Sequence, residues 1–262
     1  MDTFSPAVNM LLVNHGTSVM QFIDVISLRC CGFACHPEDM KNWLLPTVSF
    51  ETEVSRLNDF LQMDGGLKGA EGVSDNRLFE MIEKGAVFGP IRKDVLQQDI
   101  QSSYFEGATK FMYCCRYEAG KYIVHDPDGF PMQLMTKSDI LDLKTKSGFQ
   151  VIWMEKGRGV RPDYYKAMTE AVSYKITHPC NFEQVPKPQG RVGKLAVQYG
   201  LQNYLLQTNQ LIEFVKQFCG LECGRIYDEL IRKACMCLNS CNLEGIRIFE
   251  EQLCKCLQEE KF

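Results

Sequence analysis

ATKFMYCCRYEAGKYIVHDPDGFP, residues 108–131, decides the reading of the fold. Apolar and aromatic residues crowd its two halves, and Glu118-Ala119-Gly120 breaks them. That pattern predicts two antiparallel strands joined by a tight turn. The second strand, centred on Tyr122-Ile123-Val124, runs into His125-Asp126-Pro127-Asp128-Gly129. Pro127 fixes φ and Gly129 permits a positive φ, so a turn is expected there. An imidazole and two carboxylates leave the strand together, a common place for catalytic groups. Successive strand residues face opposite ways, so His125 and Asp126 do not both enter one cleft.

Outward from the hairpin, AVFGPI (86–91) and FQVIWME (149–155) read as further strands. MTKSDILDLK (135–144) reads as a short capped helix between strands. Upstream, SPAVNMLLVN (5–14) predicts a helix with Ser5 as N-cap, Pro6 at N1 and Gly16 past its end. A second helix is expected over 18–28 and an irregular segment over 30–46. ETEVSRLNDFLQM (51–63) puts Val54, Leu57, Phe60 and Leu61 on one helix face. DGGLKGAEG (64–72) reads as a loop, and 74–84 as a helix capped by Ser74 or Asp75. Beyond residue 191 the pattern is helical, with helices over 193–219, 221–239 and 243–260. The fold class is therefore α+β. An α+β domain spans 1–156, a connecting segment 157–192, and an all-helical C-terminal region 193–262.

The chain has 262 residues, 45% hydrophobic and 24% charged, enough for a full core without metal or disulfide staples. A net charge of −4 and a pI near 5.7 argue against a general nucleic-acid binder. No run of about 18 apolar residues predicts a membrane span. The N-terminus lacks a basic leader, so a cytoplasmic location is expected. There the 13 cysteines stay mostly reduced, and their odd number prevents complete internal pairing.

Three stretches together carry a resemblance. TFSPAVNMLLVNHG (3–16), AVFGPI (86–91) and the hairpin ending in HDPDGFP (125–131) resemble, in order and spacing, the papain-like fold. More narrowly they resemble the peptidase-like domains of bacteriocin-processing transporters and the butirosin biosynthesis protein H family. The resemblance spans roughly residues 1–155 and implies a papain-like domain of N-terminal helices and an antiparallel sheet. It implies acyl or aminoacyl transfer from a carrier-protein thioester to a small-molecule amine, in secondary-metabolite biosynthesis. The partner would be an acyl- or peptidyl-carrier protein bearing phosphopantetheine. No directly bound cofactor or metal is implied, and neither nucleic acid nor membrane is a partner.

The departures from that family are specific. Its nucleophilic Cys falls at Thr3, and its general-base His falls where this chain has Thr109-Lys110-Phe111. Asp126 stands at the position of the orienting acid. In Cys–His chemistry the imidazole takes the thiol proton and the carboxylate fixes the tautomer. A Thr3–Lys110 or Ser5–Lys110 pair would need a desolvated, neutral lysine. Asp126 beside Lys110 would oppose that by favouring the charged form. The bland alternative is that Ser5 caps a helix and Lys110–Asp126 is a structural ion pair. His125 is the other candidate base, with Cys30, Cys31 or Cys35 as a thiol partner and His36 as a local base beside Cys35. A thioester is already activated, so positioning and an oxyanion hole alone suffice for its aminolysis. The alternative function is a catalytically degenerate relative that binds a peptide, acyl group or partner protein in the former cleft.

Other motifs are weaker. Seven tail cysteines (219, 223, 235, 237, 241, 254 and 256) offer CxxxC, CxCxxxC and CxC spacings, but no paired CxxC signature. Buried free thiols are the simpler reading. DGGLKGAEG matches no phosphate-binding loop. GRGVRPDYYK (157–166) reads as a solvated linker, or as a dock for an anionic partner.

Overall fold

The strand pattern around residue 120 builds a six-stranded sheet. The computed structural model describes residues 3–39, 43–63, 65–92, 109–127, 130–156, 162–187, 190–240 and 242–260. Strands are β1 (Phe33–Cys35), β2 (Leu44–Pro46), β3 (Leu67–Glu71), β4 (Ala86–Arg92), β5 (Thr109–Glu118), β6 (Lys121–Asp126), β7 (Phe130–Met135) and β8 (Gln150–Met154). Helices are α1 (Phe4–Asn14), α2 (Ile23–Ile26), α3 (Phe50–Leu61), α4 (Asp75–Ile82), α5 (Lys137–Ser147), α6 (Tyr164–Thr177), α7 (Gly190–Lys216), α8 (Leu221–Asn239) and α9 (Leu243–Glu259). The α+β class is thus present, with helices filling the C-terminal part. No described helix is long and apolar enough to cross a membrane.

The chain forms two compact units. One contains residues 1–23 and 50–162, the other 24–49 and 163–262. The division therefore differs from the boundaries at 156 and 192 expected from sequence, because 24–49 joins the helical unit.

In the first unit the sheet order is β3-β8-β4-β5-β6-β7, with every neighbouring pair antiparallel. The hairpin turns at Ala119-Gly120, both with positive φ, as a tight reversal requires. One sheet face packs on α4 and α5, burying Leu78, Phe79, Ile82, Phe88, Met112, Val124 and Ile140. The other face takes α1, where the Phe4 and Phe111 rings meet edge-on at 5.1 Å. Ser74 caps α4, and Thr136 with Asp139 forms a reciprocal capping box on α5.

The segment 64–72, expected as a loop, holds β3 in its described part. Gly69 lets α3 lie close on this strand: an added Cβ would come within 2.6 Å of Val54 and 3.0 Å of Phe50. The expected helix over 18–28 is reduced to the single turn of α2. The segment 30–46, expected as irregular, carries the short β1–β2 ladder. Thr3, not Ser5, is the N-cap residue of α1, and it makes no side-chain capping bond.

In the second unit α6 occupies much of the segment expected as a connection. Asp163 caps it by accepting from Lys166 N–H at 2.9 Å. Tyr204 of α7 is the hub of the core. Its ring meets Phe33, Phe182 and Phe249 at centroid distances of 5.5, 4.9 and 6.4 Å. Edge-on aromatic contacts of this kind add to area burial.

Candidate functional site

The candidate residues at the hairpin end fall into two groups, divided by strand alternation. On β5, Phe111 faces α1, while Met112 belongs to the core under α4 and α5. Lys110 shares the Met112 side by alternation. Val124 likewise puts Asp126 on that side. Lys110 donates to Asp126 there, and both side chains are 3% exposed. The pair is closed off from solvent among packed apolar groups.

Thr3 approaches from the other direction. Its hydroxyl donates to the Phe111 carbonyl and accepts from the Phe111 N–H, each at 2.7 Å. The β4–β5 register explains the geometry. It passes from Phe88↔Met112 to Ile91↔Lys110, so Gly89 and Pro90 stand opposite Phe111 in a bulge. Proline has no N–H to offer a ladder. Thr3 bonds the Phe111 backbone as a strand neighbour does. Its one hydroxyl proton is already given to a carbonyl, so in this geometry it is not handed to Lys110. Ser5 lies within the first turn of α1, and its hydroxyl is buried with no hydrogen-bond partner among the described residues.

His125 faces away from Asp126, as alternation requires. Its ring lies nearly parallel to that of Tyr113, the cross-strand neighbour, at 6.3 Å. Both line a groove of about 590 Å³ beside α1. Pro6, Met10 and Val13 of α1 form one wall. Tyr113, Cys115, Ile123 and His125 form the floor, and Val19 and Met132 stand at the rim. Val13, Val19 and Met132 are 49%, 70% and 65% exposed, so this rim offers apolar surface to solvent. Asn9 fixes the rim segment, donating to the Met20 carbonyl and accepting from the Met20 N–H at 2.8 Å each. Arg116 stands at the groove and pairs with Glu118 at 3.1 Å. Burial pushes the Tyr113 phenol well above its usual range, so it stays protonated. This volume lies within the roughly 300–1,000 Å³ of small-molecule pockets. His125 was legible as a candidate in the sequence, but the groove was not, because its wall is formed by side chains of α1, a helix recognised there from its end signals alone.

The remaining candidates lie elsewhere. Cys30 and Cys31 are buried in the second unit, and burial holds the Cys30 thiol well above its usual range. Cys35 pairs with Cys180, the two sulfurs 3.9 Å apart. His36 pairs with Glu38 at 3.5 Å. His15 bonds the Leu11 carbonyl and His178 the Tyr174 carbonyl, each at its helix end. Among the described residues, no group of three or more His, Cys, Asp or Glu is placed to hold a metal ion. Cys241, Asp128, Gly129 and residues 157–161 lie outside the described residues.

A buried polar cluster in the second unit had no counterpart in the sequence reading. Glu250 of α9 accepts from Lys175 Nζ at 2.7 Å, from Cys180 N–H at 2.7 Å and from the Tyr204 hydroxyl. Lys175 is fully buried. A long charged side chain on a helix is read from sequence as solvated, and only a distant partner makes its burial tolerable.

No protein-family model matches the sequence, and no curated protein matches it.

Proposed function

We propose that this chain is a binding protein on a papain-like frame, holding an acyl chain in the groove beside α1. The carrying observation is the state of the position expected to be nucleophilic. The Thr3 hydroxyl is committed in both directions to the Phe111 backbone, and Lys110 is committed to Asp126. Acyl transfer through a covalent intermediate needs a free nucleophile beside a free base. A binding site needs an apolar concavity with a few polar groups, which the groove supplies through Met10, Val13 and Ile123 with His125 and Arg116 at its polar side. An acyl chain ending in an anionic or thioester head fits that chemistry. A carrier protein bearing phosphopantetheine is the partner this reading names for its delivery.

The test is titration of the full chain with a fluorescent fatty acid, displaced by dodecanoic acid or dodecanoyl-pantetheine. Saturable binding is expected, weakened at least tenfold in Val13→Asp and Met132→Asp, which alter exposed rim positions. Absence of saturable binding, or binding indifferent to both variants, overturns the proposal. Intact mass after dodecanoyl-pantetheine is mixed with a panel of amines separates the two classes of function. An acylated protein or an amide product, lost in Lys110→Ala or Asp126→Ala, replaces the binding reading with the transferase.

A further inference from the structure

In the second unit, two thiols far apart in sequence lie side by side. Cys35 ends β1 and is partly exposed, whereas Cys180, three residues after α6, is buried. Their sulfurs are 3.9 Å apart. Each is held by its own backbone. Cys35 pairs with Leu44 in the β1–β2 ladder, and Cys180 donates its N–H to the buried Glu250 carboxylate at 2.7 Å. Glu250 is itself anchored by Lys175 and Tyr204. The two sulfurs are therefore positioned by ordered groups on both sides.

The pair is asymmetric. The contact between the two sulfurs lowers the Cys35 thiol below its usual range and raises that of Cys180. Burial raises Cys180 further, and Glu250 adds to that rise. The accessible sulfur is the one favoured as thiolate, and the buried sulfur keeps its proton. Redox-responsive cysteines share this arrangement of an accessible thiolate beside a resolving thiol.

We propose that Cys35 is a peroxide-reactive cysteine and Cys180 its resolving partner, the two forming a reversible disulfide. The Cys35 thiolate attacks one oxygen of hydrogen peroxide and the O–O bond breaks. Cys35 becomes a sulfenic acid and hydroxide leaves. The Cys180 sulfur then attacks the Cys35 sulfur, its proton leaves with the departing hydroxyl as water, and the S–S bond forms. Both cysteines are oxidised by one electron each, and one peroxide is reduced to two waters, the expelled hydroxide taking up the proton released when the Cys35 thiol ionised. A small dithiol reverses the step. Cys180 also lines a cavity of about 410 Å³ with Glu250 and Cys254, so the disulfide alters a wall of that cavity.

The experiment treats reduced full-length protein with stoichiometric hydrogen peroxide, blocks remaining thiols with N-ethylmaleimide and maps peptides without reduction. The expected product is a Cys35–Cys180 linked peptide, two hydrogens lighter than the reduced pair and abolished by dithiothreitol. In Cys180→Ala, and in Cys180→Ser as the closer replacement, a sulfenic-acid-trapping dione should label Cys35 and no linked peptide should form. In Cys35→Ala, Cys180 should remain reduced. The proposal is overturned if Cys35 and Cys180 stay reduced while the exposed Cys235 oxidises. It is equally overturned if Cys35 pairs with another cysteine.

Discussion

The Thr3 hydroxyl and the Phe111 backbone are joined by two hydrogen bonds, one in each direction, across 108 positions of sequence. The clasp fixes the start of α1 to the one place where the β4–β5 register is interrupted by a bulge. It is buried, so water does not readily replace the bonds. Thr3→Val removes both and should cost about 1–3 kcal/mol, the penalty for buried backbone groups losing a partner. Thr3→Ser keeps the hydroxyl and should stay within about 1 kcal/mol of wild type. Urea midpoints of the three proteins check this. Equal midpoints for Thr3→Val and wild type would remove the structural role assigned to Thr3.

Lys110 and Asp126 are both sealed under the sheet, so breaking the pair differs from replacing it. Lys110→Met alone leaves a buried carboxylate without its ammonium partner and should cost about 3–5 kcal/mol. Lys110→Met with Asp126→Leu removes both charges and should recover most of that loss. Chemical denaturation of the two single variants and the double variant measures the coupling. Additive losses would mean that the charges do not act as a pair.

Local chemistry made much of this fold readable. The turn at Ala119-Gly120, the Ser74 cap and the Thr136 start of α5 each follow from residues within a few positions of one another. The apolar face of α3 is equally local. What escaped reading depends on distant partners. Gly69 marks a strand only because α3 packs on it, and Lys175 is buried only because Glu250 meets it. Of the site, the opposed directions of His125 and Asp126 were legible from strand alternation. The Thr3 clasp was not, because nothing in the sequence near residue 3 points to residue 111.

The capping box on α5 carries a pH signature. Asp139 accepts from the Thr136 N–H and hydroxyl, both at 2.7 Å, and the backbone bond foremost holds its carboxyl below the usual range. A carboxyl depressed in the folded state stabilises above its unfolded value, near 3.9. That contribution is lost as pH falls through the folded value. Asp139→Ala should therefore be less stable than wild type from pH 5 to 8, by about 1 kcal/mol or less. The gap should narrow as pH drops below about 4. Parallel urea titrations at pH 7 and pH 3 read the effect, and a gap that widens in acid would contradict the assignment.

Two helical glycines should respond in opposite senses to the same change. In an exposed helix, Gly→Ala stabilises by about 1 kcal/mol, because alanine loses less backbone entropy. Gly224 of α8, although buried, is open to the change, since its added methyl would meet nothing closer than 3.9 Å. Gly200 of α7 is not. Three atoms of the Trp43 indole lie within 2.6 Å of where its Cβ would stand. Trp43 is buried, and its indole N–H donates to the Ala196 carbonyl at 3.3 Å, so the ring is held against the helix. The overlap should outweigh the propensity gain and make Gly200→Ala destabilising by about 1–3 kcal/mol. Trp43→Phe removes the indole atoms at the contact, so Gly200→Ala should cost less in that background than in wild type. Thermal and urea unfolding of the four proteins gives the coupling directly. An equal cost in both backgrounds would show that the close approach of helix and indole is not what holds position 200 to glycine.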